Sequence, residues 1–297
     1  MDGAFAHTTR RLWTRLVAGG AAALLAGALT GCTSKPVLVP ETTSVAGTSG
    51  GAAPLVAAVP GSLAWDFLNN LKPTLNGKVG LALMPVGGDR VVALGDWTTG
   101  PAWSTMKVPL TLAALRANSG YTGAAANAIT YSDNTAADTL WQSLGGADTA
   151  AQTVQAVLRE GGDATTKVPS VRIRSDYSAF GQADWSLSDQ LKFASRLPCL
   201  PESDAVTSLM GKISSGQRWG LGNLDNAEFK GGWGPDTSGS YLVRQFGLIP
   251  VEGGELAIAI AAQPNSGSFD DGTAMLTKVA TLINGHLEEL RGGHCAH

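Results

Sequence analysis

Apolar residues recur at helical intervals over 62–75, where Leu63, Phe67, Leu68 and Leu71 share one stripe and Pro73 closes the segment. Two strand-like runs follow at 79–84 and 90–94, and Gly87-Gly88-Asp89 between them predicts a hairpin. An apolar helix is expected over 104–117, ended by Asn118 and Gly120. The helical period then returns at 123–129, 136–144, 148–158, 186–197 and 203–213, with a capping box at Ser186 to Asp189. Residues 160–185 between two of these helices are polar and irregular, a loop of a length that is often functional. Strand patterns reappear at 227–233, 241–249 and 255–262, the last alternating Leu256, Ile258 and Ile260 with alanines. A closing helix over 272–290 carries the stripe Leu276, Val279, Ile283, Leu287 and Leu290.

The order is therefore helix, two strands, an all-helical insert, three strands, helix. Short links between sequential strands favour an antiparallel sheet, so the expected class is α+β: five antiparallel strands flanked by N- and C-terminal helices, with an inserted all-α lobe. The domain is expected over 60–297, with the sheet-bearing lobe at 60–100 and 216–297 and the helical lobe at 101–215.

Upstream, Arg10, Arg11 and Arg15 precede an uncharged stretch rich in Ala, Leu and Gly, the layout of an export signal over 1–31 and short for a membrane span. Its end, Leu29-Thr30-Gly31-Cys32, resembles a bacterial lipobox, which implies lipid attachment at Cys32 and an anchor at the outer face of the cell membrane. Residues 32–59 are Pro, Gly, Ser, Thr and Ala with almost no charge or aromatic residue, the composition of a flexible tether. With 1–31 removed, 18 basic residues face 23 acidic ones, a balance of −5 that excludes nucleic acid as a partner. Cys199 and Cys295 are the remaining cysteines. In an oxidising compartment they can pair, and two separate thiols are the alternative.

Three short motifs carry candidate chemistry. Ser104 and Lys107 stand three apart at the head of a helix, which puts a hydroxyl and an amine on one face, and a desolvated lysine can act as base for a serine. About 0.7 SxxK matches arise by chance in a chain of this composition, so the pair carries little weight alone. Ser132-Asp133-Asn134 lies between two helical segments, with a chance expectation of about 0.04. Asn134 there can cap the following helix, or its amide can grasp a substrate while Ser132 relays a proton. Lys230-Gly231-Gly232 lies in a strand ending at Trp233, where glycines permit a substrate to approach as an added strand or mark a bulge.

In this order the three motifs resemble those of serine β-lactamases and penicillin-binding proteins, and the STMKVPL run at 104–110 resembles the class A branch. The lipobox and Ala-rich composition resemble an exported actinobacterial lipoprotein. The resemblance implies a β-lactamase/transpeptidase-like fold and no cofactor. It makes Ser104 the acylated nucleophile, Lys107 part of its base and Ser132 a proton carrier. Asn134 and the wall at Lys230, Gly231, Gly232 and Trp233 become substrate contacts, the backbone N–H groups of Ser104 and Trp233 forming the oxyanion hole. A β-lactam or a D-Ala-D-Ala-type stem peptide is the implied ligand, and a monomer is expected.

Three departures accompany it. No Glu occurs between Glu160 and Glu202, so the loop carboxylate that activates the deacylating water is missing. Arg172 stands in its place, and Asp176 and Asp184 are the conjectural substitutes. Gly231 replaces a Thr or Ser whose hydroxyl helps hold the substrate carboxylate; Arg244 either compensates or is a surface residue. The 28 positions from Ser104 to Ser132 are fewer than in typical class A enzymes, which implies a shortened cleft wall.

A Ser-His-Asp hydrolase is disfavoured, because the only histidines after the signal are His286, His294 and His297, all near the C-terminus. His294-Cys295-Ala296-His297 does not make a metal site by itself, and no metal is expected. Two classes of function remain: a serine acyl-transferase with poor deacylation, and a degenerate member of the same fold that serves as an envelope binding module.

Overall fold

Five strands form one antiparallel sheet in the order β2-β1-β5-β4-β3, in a computed structural model that describes residues 60–296. They are β1 (Gly77–Pro85), β2 (Val92–Gly95), β3 (Glu228–Pro235), β4 (Tyr241–Val251) and β5 (Gly254–Pro264). The β1–β2 hairpin pairs Leu83 with Val92, and β5 lies between β1 and β4, pairing Leu81 with Ile260 and Gln245 with Ile260 across its two edges. The signal-like segment at 1–31, Cys32 and the tether at 32–59 lie outside the described residues.

The first helical segment departs from a regular α-helix. One turn, α1 (Leu63–Trp65), widens into a π-helix over Asp66–Leu71 and tightens into a 3-10 turn over Lys72–Thr74. Pro73 has no N–H to continue the ladder, so the ordinary winding stops there. Leu63 and Phe67 are buried as their pattern predicts, while Leu68 is 41% exposed.

The central helices are α2 (Lys107–Ala117), α3 (Thr122–Thr130), α4 (Asn134–Ser143), α5 (Ala147–Glu160), α6 (Leu187–Arg196) and α7 (Asp204–Met210). Among the described residues, the stretch between β2 and β3 carries helices and loops but no strand of the sheet. The helix α6 is nonetheless the sheet's own cover. A Cβ at Gly80 on β1 would meet the Leu187 side chain at 2.9 Å, and Ser195 Oγ donates to Pro85 O at 2.8 Å. Its N-terminus is built as the capping box predicts, with Ser186 Oγ accepting from Asp189 N at 3.0 Å and donating to the Asp189 carboxylate at 2.8 Å. The closing helix α8 (Phe269–Gly285) buries Leu276, Val279 and Ile283, and ends five residues before its predicted limit, in a 3-10 turn over Leu287–Glu289.

Cys199 and Cys295 form a disulfide across 96 positions. The cross-link fixes the tail, whose Gly293 exchanges backbone hydrogen bonds with Glu255, to the segment after α6.

Candidate active site

Ser104 and Lys107 do not share the start of an α-helix. Trp103–Met106 winds as a 3-10 turn, and α2 begins at Lys107. Three residues per turn eclipse positions three apart, so the two side chains stand one above the other. Trp103 holds a left-handed φ of 50°, unusual for a bulky residue and sustained only where its surroundings impose it. Those surroundings are rigid: Thr105 Oγ1 donates to Ala102 O and accepts from Gln190 Nε2 at 2.9 Å, and Ala102 N donates to Ala183 O at 2.8 Å.

Lys107 is fully buried. Its Nζ donates to Ser132 O, to Asn134 Oδ1 at 2.8 Å and to Ser132 Oγ at 3.3 Å. Lys230, on β3 and also fully buried, reaches the same hydroxyl from the other side, 2.9 Å from Ser132 Oγ, and donates to Gly231 O at 2.8 Å. The Ser132 hydroxyl is thus held between two buried amines. Burial pushes the Lys107 ammonium down to about 7, against the opposing charges of Asp133 and Asp138. Burial, then the charge of Lys107, pushes Lys230 well below the ordinary lysine range. A neutral amine is therefore available near neutral pH, as a serine's base must be. The Ser104 hydroxyl has no hydrogen-bond partner among the described residues, and Ser104 lines a cleft of about 310 Å³.

The turn carrying Ser132 is set by its backbone. Ser132 takes a φ of 56°, and Tyr131 N and Asp133 N both donate to Asn127 O. Asp133, rather than Asn134, caps α4, its Oδ1 accepting from Ala136 N at 2.8 Å. Asn134 is thereby left to Lys107 and to the cleft, which it lines. Strand β3 closes on the turn carrying Ser104 at Gly232, where a Cβ would stand 2.8 Å from Ala102 O and 2.9 Å from both Ser104 N and Thr105 N. Glycine alone permits that approach. The next residue, Trp233, lines the cleft, and its ring meets those of Trp219 and Phe269 at 6.0 and 5.5 Å.

No family model and no curated protein matches the chain by sequence. Solved structures do match it in three dimensions. TLA-3 extended-spectrum β-lactamase gives a TM-score of 0.62 at 15% identity, over 76% of this chain and 98% of that one. A class A β-lactamase from Bacteroides cellulosilyticus DSM 14838 gives 0.63 at 14% identity, over 76% and 97%. One from Mycobacterium abscessus gives 0.59 at 17% identity, over 75% and 98%. The chain has the class A β-lactamase fold. At these identities the likeness is one of fold, and the chemistry rests on the residues themselves.

Within that β-lactamase fold the three motifs meet: Lys107, Ser132, Asn134 and Lys230 are joined by hydrogen bonds beside Ser104. The departures also take definite positions. Arg172 lines the cleft and pairs with Asp138 Oδ2 at 3.4 Å. Asp176 lines the cleft too. Asp184 does not; its carboxylate accepts from Thr99 Oγ1 at 2.8 Å, which removes it as a substitute base. Arg244 is neither a surface residue nor part of the site. It is fully buried, donating to Gly100 O, Pro101 O, Trp185 O and Gln190 Oε1, and its guanidinium lies 5.0 Å from the Trp97 ring centroid. It pins the turn before Ser104 to β4. At Gly231 the space a side chain would enter meets the Trp219 ring, 3.2 Å from a Cβ there.

The sequence reading missed Trp103, Asp138, Tyr177 and Tyr241 as cleft residues. Asp138 was within reach, since it lies one turn beyond Asn134 on the same face of α4. Tyr177 and Tyr241 come from a loop and a strand start, and no local pattern joins them. Loop 161–184 is shaped from within: Gln182 Oε1 accepts from Arg174 N, and Gln182 Nε2 donates to the carbonyls of Arg174, Tyr177 and Ser178.

Proposed function

We propose that the protein is an exported, lipid-anchored serine acyl-transferase of the cell envelope, acylated at Ser104 by β-lactams or D-Ala-D-Ala-type peptides and deacylated poorly. The observation that carries this reading is the chain of contacts from Lys107 Nζ through Ser132 Oγ to Lys230 Nζ, beside an open Ser104 hydroxyl. Ser104 Oγ attacks the acyl carbon while its proton passes to the neutral Lys107 amine. Ser132 and Lys230 then carry a proton to the leaving group. The N–H groups of Ser104 and Trp233 take the oxyanion, a role supported by the approach of β3 at Gly232. The second half of the cycle lacks the loop carboxylate: the guanidinium of Arg172, paired with Asp138, cannot take a proton from water, and Asp176 is the one carboxylate lining the cleft outside that pair. An acyl-enzyme that persists follows.

Export and anchoring rest on the sequence alone, on Leu29 to Cys32 and the apolar stretch before it. One observation favours the degenerate binding module instead: every Lys107 donor bond goes to Ser132 or Asn134, and none to Ser104. Intact mass spectrometry after incubation with a penicillin separates the two. A stable adduct that disappears in Ser104→Ala supports acyl transfer, and no adduct after prolonged incubation leaves the binding module. Detergent partitioning that is abolished by Cys32→Ala tests the anchor.

A further inference from the structure

The chemical class of acyl donor follows from what the cleft wall lacks. β-Lactams and D-Ala-D-Ala peptides carry a carboxylate on the leaving side, and holding it requires a cation or donors that reach the cleft. Neither lysine of the site lines the cleft; both are fully buried, and the two amine donor bonds of Lys230 end on Ser132 Oγ and Gly231 O. Arg244 is engaged in the core by three carbonyls and Gln190. Gly231 offers no hydroxyl, and the Trp219 ring stands 3.2 Å from where its Cβ would be.

The charges that do line the cleft are Asp138, Asp176 and Arg172, and Arg172 is already paired with Asp138 at 3.4 Å. Among these lining residues the balance is one negative charge, unfavourable to an anion, and the Arg174 guanidinium behind them is committed to Pro235 O and to the Tyr177 ring, 4.3 Å from its centroid. The rest of the lining includes four aromatic rings, Trp103, Tyr177, Trp233 and Tyr241. Trp103 and Tyr177 meet edge to face at 5.1 Å, and the buried Trp103 indole N–H has no hydrogen-bond acceptor among the described residues. Among the polar groups of this wall the rings suit a flat aromatic group, which meets them face to face or edge to face.

From this surface we infer that the acyl donor suited to Ser104 is an uncharged ester bearing an aromatic group, with no carboxylate on its leaving side. The inference rests on the serine acyl-transfer step proposed above and replaces the carboxylate-bearing donors named there. Ser104 Oγ attacks the ester carbonyl; the new Oγ–C bond forms as the ester C–O bond breaks. The serine proton passes by way of Lys107 and Ser132 to the departing alkoxide, which leaves as a neutral alcohol. Water later cleaves the acyl-serine, releasing the acid and restoring the hydroxyl.

Benzylpenicillin and its methyl ester differ only in the carboxylate, so the rate at which each adds its mass to the full-length protein tests the point. The methyl ester is expected to acylate Ser104 about 10-fold faster, the size of one charged hydrogen bond that is not made. Asp176→Asn is expected to narrow that ratio about 3-fold at low ionic strength by removing the unpaired negative charge. Acylation by the free acid as fast as or faster than by the ester overturns the inference. Absence of any adduct with both compounds overturns instead the acyl-transfer reading on which it depends.

Discussion

Gly232→Ala is the sharpest probe of how the sheet serves the site. The added Cβ would stand 2.8 Å from Ala102 O and 2.9 Å from Ser104 N, both backbone atoms in a turn held by Thr105, Gln190 and Ala183. Ordinary contact begins near 3.4 Å, so β3 must withdraw from the turn carrying Ser104 by about 0.6 Å. Overpacking of this kind costs about 1–3 kcal/mol, which leaves a domain of ordinary stability folded at 25 °C. The same displacement moves the Trp233 N–H away from the oxyanion it would hold, and misplacement on this scale slows a reaction by about 10- to 100-fold. Gly231→Ala is the control, because its Cβ at 3.2 Å meets the Trp219 ring, a side chain that can give way. Acylation rates of the two variants, read by intact mass alongside thermal unfolding, should separate: a large loss for Gly232→Ala and less than about 3-fold for Gly231→Ala. Equal rates in both variants would show that the close approach of β3 plays no part.

Other outcomes follow from the same geometry. Arg244→Met leaves three carbonyls and the Gln190 oxygen buried without their donor and should destabilise the domain by about 3–5 kcal/mol in urea unfolding; a loss under about 1 kcal/mol refutes the pinning role. The Lys107 ammonium lies at about 7 in the folded protein, so the amine is protonated below that pH and free above it. The acylation rate should then rise with pH through about 7 and level off, and stability should also rise from there towards 10.5, where the unfolded chain binds the extra proton. A rate that is flat from about pH 5.5 to 9 contradicts Lys107 as base. Arg172→Glu combined with Asp138→Asn puts a carboxylate on the cleft wall in place of the ion pair, with Asp176 the other carboxylate lining it, and should shorten the adduct lifetime about 100-fold; an unchanged lifetime means the water base belongs elsewhere. Cys295→Ser opens a link spanning 96 positions and should lower stability by about 2–5 kcal/mol, read by calorimetry.

The sheet and its covering helices were legible in the chain because their signals are local and periodic. Alternating Leu256, Ile258 and Ile260 belong to β5, the stripe from Leu276 to Ile283 is the buried face of α8, and Ser186 caps α6 where its motif stands. The motif residues were legible for a similar reason: Ser104 and Lys107 are neighbours in sequence, and Ser132-Asp133-Asn134 is short enough to stand out from chance. What surrounds them depends on contacts between distant segments. The sequence offered Asn134 as the helix cap, yet Asp133 took that place, since the Asn134 amide oxygen was drawn to a buried amine 27 positions away. It offered Arg244 as a site or surface residue. Only the tertiary structure, which sets β4 beneath the turn at Gly100 and Pro101, made it a core cation held by carbonyl oxygens. Whether the cysteines meet was likewise open in the sequence, because their separation of 96 positions says nothing of distance until the tail is packed against the segment after α6. The charge and aromatic lining of the cleft is the furthest from local pattern, being assembled from a helix, a 3-10 turn, a loop and two strands whose side chains meet only once the core has closed.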